Sequence, residues 1–163
     1  MFYEFKEAVS NISSYNDILD VLIIYYFDKD MLLWYKHLVD NYNFEKKQSQ
    51  IGIIQNMKQD SVSRKFKLIK NKIKLYTKDL YDNHLNFISA LSTIDKYGTE
   101  NQKIAMMLFL QHKSYTTMSK ILHISRYAVY SRVFDFFKHI LKEDKNLITA
   151  IFNIRKFSLN RLK

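Results

Sequence analysis

The stretch YTTMSKILHISRYAVYSRV, residues 115–133, decides how the chain is read. Met118 is apolar and Ser119 small, so a second helix can cross close to the first at this point. Leu122 ends the first helix, and Ile124 lies just beyond the turn position His123. Ser125 is a helix N-cap by chemistry, because its hydroxyl accepts from the free amides of a first turn. Val129 is the core position of the second helix. Val133, Phe136 or Phe137, and Ile140 continue its stripe at helical spacing. This order of apolar, small, turn, cap and core residues is that of a helix-turn-helix. Arg126, Tyr127, Tyr130 and Ser131 are left on the opposite face, at the N-terminal end of the second helix.

Composition agrees with a helical chain. The 163 residues contain only two Gly and no Pro, the residues that punctuate strands and hairpins. An all-α, multi-helix protein with two helix-turn-helix-like units and little or no β structure is expected. There is no Cys, which excludes disulfides and thiolate metal sites and fits a reducing compartment. The longest apolar run, Leu19 to Phe27, is too short for a bilayer span of about 20 residues. The opening MFYEFKEAV lacks the basic-then-apolar order of a signal peptide, so a cytoplasmic protein without membrane contact is expected.

The net charge is +10, and its placement is uneven. Residues 1–45 carry three Lys against eight acidic residues, net −5, whereas 46–163 carry net +15. Within the latter, 46–78 hold ten basic residues and Asp60 alone, net +9. An acidic front is repelled by DNA and a basic remainder attracted. Lys, Asn, Ile, Tyr and Phe all have AT-rich codons, so placement says more than the total.

Seven or eight helices are expected, with no internal repeat of 20–50 residues. Ser13, Ser14 or Asn16 suits one N-cap, and Asp28 or Asp30 the next. Val62, Phe66, Ile69, Ile73 and Tyr76 form one buried stripe, and Leu85, Ile88 and Leu91 another. Thr99 and Gln102 fit a capping box. The break at Lys96–Thr99 divides the chain into an N-terminal helical part, 1–97, and a C-terminal part, 98–163, ending in a basic amphipathic tail from Asn146. Trp34 and most Tyr and Phe are expected to pack.

A second, looser unit lies at 48–66. Ile51-Gly52 is apolar then small, Asn56 suits the turn, and Met57 and Val62 take the two apolar positions. Gln55 stands where an apolar residue is expected. The recognition face of this unit is Ser61, Ser63, Arg64, Lys65, Lys67 and Lys70.

The segment Asn101 to Leu141 resembles region four of bacterial sigma factors and is similar to ArpU- and RinA-like phage late-gene regulators. The resemblance rests on KIAMMLFL, on Met118-Ser119, Ile121-Leu122 and Ile124-Ser125, and on Val129 to Val133. It covers about a quarter of the chain. It departs at His123, where the turn usually holds Gly, and at Thr117, where an acid is usual. No polymerase-binding or promoter-melting region is recognisable upstream. The resemblance implies a sequence-specific double-stranded DNA-binding transcription regulator of phage or mobile-element type. Arg126, Tyr130 and Ser131 would face base edges, with Ser125 and Tyr127 beside them. Arg132, Lys138 and the Lys run after Ser63 would hold phosphates. The acidic front would bind a second copy of the chain or RNA polymerase. The competing reading is a helical module that binds a host protein. No enzyme, metal site or cofactor is expected: there is no Gly-rich phosphate loop and no His-Glu-x-x-His. The five His lack ligand spacing, and the His-x-x-Arg at 123–126 lacks the companion Arg of tyrosine recombinases.

Overall fold

With so little Gly and no Pro, this chain must end its helices by other means. In the computed structural model, which describes residues 1–158, four non-glycine residues take the left-handed conformation: Phe44 (φ 60°), Asn56 (54°), His112 (61°) and His123 (54°). Each stops a helix. The next residue donates its N–H five positions back: Glu45 to Asp40, Met57 to Gly52, Lys113 to Leu108 and Ile124 to Ser119. That is the Schellman closure, which satisfies carbonyls that the helix end leaves free.

Ten α-helices and no strand result among the described residues. They are α1 (Phe2–Ser10), α2 (Tyr15–Val21), α3 (Lys29–Tyr42), α4 (Gln48–Ile54) and α5 (Gln59–Thr77), then α6 (His84–Tyr97), α7 (Glu100–Leu110), α8 (Tyr115–Leu122), α9 (Arg126–Glu143) and α10 (Ile148–Phe152). Turns of π-helix continue α2 (Leu22–Tyr26) and α5 (Lys78–Asp82). Ser14, Asp28, Thr99, Ser114 and Ser125 cap helices with their side chains, and Thr99 with Gln102 forms the capping box. Among the described residues no helix is long and apolar enough to cross a membrane.

The chain forms two compact units, and they do not part at Lys96–Thr99. One is Ser14–Lys78; the other joins Met1–Ser13 to the chain from Asp79 onward. The break at Gly98 is only a helix stop, because α6 packs against α7 and α10, and α1 against α6 and α7. Phe5 meets Phe87 edge-on at 6.0 Å, and the Lys6 Nζ lies 2.7 Å from Asp95.

In the larger unit α7 is buried all round, from Ala105 to Leu110. Its two ends are tied by cations. At the start, Lys103 donates to the Tyr3 hydroxyl at 2.7 Å and pairs with Asp95 and Glu100, each at 3.2 Å. The Tyr3 hydroxyl and these carboxylates raise its pKa. At the end, Arg155 donates to the carbonyls of Phe109 (3.0 Å) and Lys113 (2.6 Å), its guanidinium over the Phe109 ring. The tail from Asn146 therefore packs as far as it is described; Arg161 lies outside the described residues. Leu85, expected in a buried stripe, is exposed, while Leu91 is buried.

In the smaller unit α5 buries Val62, Phe66, Ile69 and Tyr76, with Ile73 half-buried. Trp34 packs edge-on against Phe66 at 6.1 Å. Gln55, the apparent misfit, is explained by His37. The two side chains lie 2.8 Å apart, and His37 is buried beside Trp34. Burial, helped by Lys46, lowers the His37 pKa, so the neutral ring accepts from the Gln55 amide.

Two predictions follow from this packing. A Cβ on Gly52 would lie 2.7 Å from the Met57 carbonyl, a backbone atom that cannot step aside. Gly52→Ala is expected to cost about 1–3 kcal/mol in urea unfolding. For His37, the unfolded chain takes up a proton near pH 6.5 that the folded site resists. Its contribution is therefore present above that pH and lost as the pH falls through the lowered folded value. The slope of stability against pH below 6.5 should flatten in His37→Gln, measured by urea titration at several pH values.

Candidate nucleic-acid interface

The pair α8–α9 is built from local chemistry. Ser114 starts α8 by accepting from the Thr117 N–H at 3.1 Å. Met118 is fully buried. The hydroxyl of Ser119 donates to the Ile124 carbonyl, which draws the chain after the turn against α8. His123 takes the left-handed turn, with its side chain exposed. Ser125 accepts from the Ala128 N–H at 3.0 Å and opens α9. Val129, Val133, Phe136, Phe137 and Ile140 are fully buried, so both Phe136 and Phe137 join the stripe.

What this leaves outside is narrower than the sequence indicated. Ser125 and Arg126 are exposed, and Tyr127 is 80% exposed. Ser131 and Arg132 are half-buried, and Lys138 is exposed. Tyr130 is a correction. Its hydroxyl is shielded from solvent. Its ring packs against Tyr115 at 5.9 Å, Phe134 at 6.0 Å and Phe157 at 5.7 Å. The returning tail covers it, so it cannot face base edges without unpacking. Asp135, exposed one turn beyond Ser131, adds a negative charge to this face. The outward face of α9 is therefore free of acids only over its first two turns.

The pair α4–α5 has the same plan. Ile51 is fully buried, Gly52 gives the close approach, and Asn56 makes the turn. Ser63, Arg64, Lys67 and Lys70 are exposed, and Ser61 is half-buried. Lys65 is the second correction. Its ammonium is 3.6 Å from Asp30 and 5.9 Å from the centre of the Trp34 ring, so it is directed to α3 and not to the face expected of it. Lys67, Lys70, Lys74 and Lys78 follow one another at steps of three or four residues and form a ridge along the helix.

Each helix start adds partial positive charge to the exposed residues around it, which favours an anion. Arg126 and Arg64 supply planar forks suited to phosphate or guanine. Among the described residues no group of three or more His, Asp or Glu side chains is placed to hold a metal. No family model, curated protein or solved structure matches the chain.

The turn itself is testable. His123 is exposed and left-handed. A non-glycine residue there costs roughly 1–2 kcal/mol, so His123→Gly is expected to raise stability by about 1 kcal/mol, offset in part by the freedom of glycine in the unfolded chain. His123→Val should lower it by about 1–2 kcal/mol. Thermal or urea unfolding reads both, and an unchanged stability in both variants would contradict the assigned turn.

Proposed function

We propose that the protein binds double-stranded DNA sequence-specifically, as a transcription regulator of the phage or mobile-element type that its Asn101–Leu141 segment resembles. The observation that carries this reading is the α8–α9 turn. His123 adopts the conformation that such a turn requires, and Ser125, Arg126 and Tyr127 stand exposed at the start of the helix that follows. That end enters the major groove. Arg126 pairs with a guanine edge or a phosphate, Tyr127 and Ser131 contact bases or sugar, and Lys138 and Arg132 hold the backbone. A cytoplasmic setting goes with this role, and the acidic residues before Lys46 meet a second copy or RNA polymerase.

A second reading has its own observation. In the smaller unit Phe44 is 95% exposed although held in a left-handed conformation, and Tyr42 and Ile53 are also largely exposed. Exposed apolar groups of this kind suit a protein partner.

The two readings separate by salt. With about six phosphates neutralised, affinity for duplex DNA should fall on the order of a thousandfold between roughly 50 and 200 mM salt. Arg126→Ala and Tyr127→Ala, both at exposed positions, should keep the fold by circular dichroism. Each should lose about 1–3 kcal/mol of discrimination between the selected site and mixed DNA. No binding to duplex DNA at low salt would end the first reading and leave the second.

A further inference from the structure

The two helix pairs repeat one another in register. α4 and α8 begin at 48 and 115, α5 and α9 at 59 and 126, the left-handed turns fall at 56 and 123, and the first core valines at 62 and 129. Every step is the same, 67 residues, the difference between 48 and 115. Both turns have φ 54°, and both close with the same bond, Met57 N–H to Gly52 O at 2.8 Å and Ile124 N–H to Ser119 O at 3.3 Å. Buried Phe66 and Ile69 take the places of buried Val133 and Phe136. The preceding helices, α3 and α7, are also stopped alike, by left-handed Phe44 and His112. The two pairs share identical residues only at Ile54/Ile121, Val62/Val129 and Ile73/Ile140. The repetition is one of backbone and core.

We infer that Ser14–Lys78 carries a second DNA-reading unit, that the start of α5 reads bases there, and that one chain occupies two half-sites on one duplex. This rests on the function proposed above. The register decides which residues read. Gln59 stands where Arg126 stands, Asp60 where Tyr127 stands, and Arg64 where Ser131 stands. All three are exposed in the first two turns of α5. Their chemistry suits base edges: a Gln amide pairs bidentately with adenine, an Arg fork with guanine, and an Asp carboxylate accepts from the cytosine amine. Ser63 is exposed where Tyr130 is packed, so this face is open at a position where the other is filled. Beyond it the lysine ridge faces the backbone of the duplex, where charge matters and sequence does not. Binding of one unit then raises the effective concentration of the other, since the two share one chain.

The test uses the full chain. Duplexes are selected from a random pool by the wild type, by Gln59→Ala with Arg64→Ala, and by Arg126→Ala with Tyr127→Ala, and sedimentation gives the number of chains per selected duplex. The expected result is a site with two conserved blocks and one chain bound. Each variant should lose preference for a different block by about tenfold or more. Arg64→Lys keeps the charge but not the fork, and should relax the same block as the alanine variant. If the α5 variants weaken binding to all sequences alike, α5 holds phosphates only and the inference falls. It falls too if a single block, or a palindrome bound by two chains, is selected and is unchanged in the α5 variants. In both cases the proposed function stands. If the wild type binds no duplex at low salt, both fall together.

Discussion

The left-handed residue that ends a helix is the constraint on which this fold depends. Among the described residues the chain makes that reversal four times without glycine, at Phe44, Asn56, His112 and His123. Each reversal costs roughly 1–2 kcal/mol of backbone strain, against which stands a closing hydrogen bond and a fixed exit direction for the next segment. The two glycines serve for room instead. Gly52 has a left-handed neighbour four residues on but is itself helical, and its missing Cβ lets the Met57 carbonyl approach. In the second pair Ser119 holds the same place, and its hydroxyl binds the Ile124 carbonyl. One pair achieves closeness by having no side chain there, the other by a hydrogen bond from a small one.

What surrounds α7 follows from its being apolar on every side. Such a helix is stable only if neighbours cover it completely. Its ends are the weak points, because free amides and carbonyls remain there. Thr99 and Gln102 close the start, and Arg155 fills the end, where a cation also faces the negative pole of the helix. Burial lowers the pKa of this guanidinium, yet it bonds two carbonyls that would otherwise lack part of their solvation. The segment that delivers Arg155 also delivers Phe157, which stacks on Phe137 at 4.8 Å and leans on Tyr130. The closure of α7 thus decides which residues α9 keeps on its outside.

Local chemistry was legible in the sequence and tertiary choice was not. The caps at Ser14, Asp28, Thr99 and Ser125 are legible because a cap depends on its own next three residues. Val129 and Val62 are legible from spacing alone. Tyr130 and Lys65 are not, since each sits on the border of its helix stripe, and distant residues, Phe157 and Asp30, decide its direction. Gln55 reads as an error until His37, 18 residues earlier, supplies its partner. The unit boundary is hidden for the same reason: Gly98 stops a helix, but α1 and α6 find their packing on α7. The shared build of the two pairs is nearly invisible because three identities carry it, and its signature is the backbone angle at Asn56 and His123.

The basic residues finally sort by what the fold already asks of them. Lys6, Lys65, Lys103 and Arg155 are tied to carboxylates or carbonyls within their units. Among the described residues Lys67, Lys70 and Lys74 form no ion pair, and no acid stands on α5 beyond Asp60 to offset them. Like charges at steps of three and four repel by a few tenths of a kcal/mol per pair, a cost that the packed stripe on the other face must carry. On the function proposed above, this row is left for an anion outside the protein. A duplex supplies such an anion at regular spacing, and release of its counterions makes the contact favourable. On the proposed reading the ridge and the turn are complementary parts: the lysines supply attraction without sequence, and the fixed exit from the left-handed residue aims the few side chains able to choose a base.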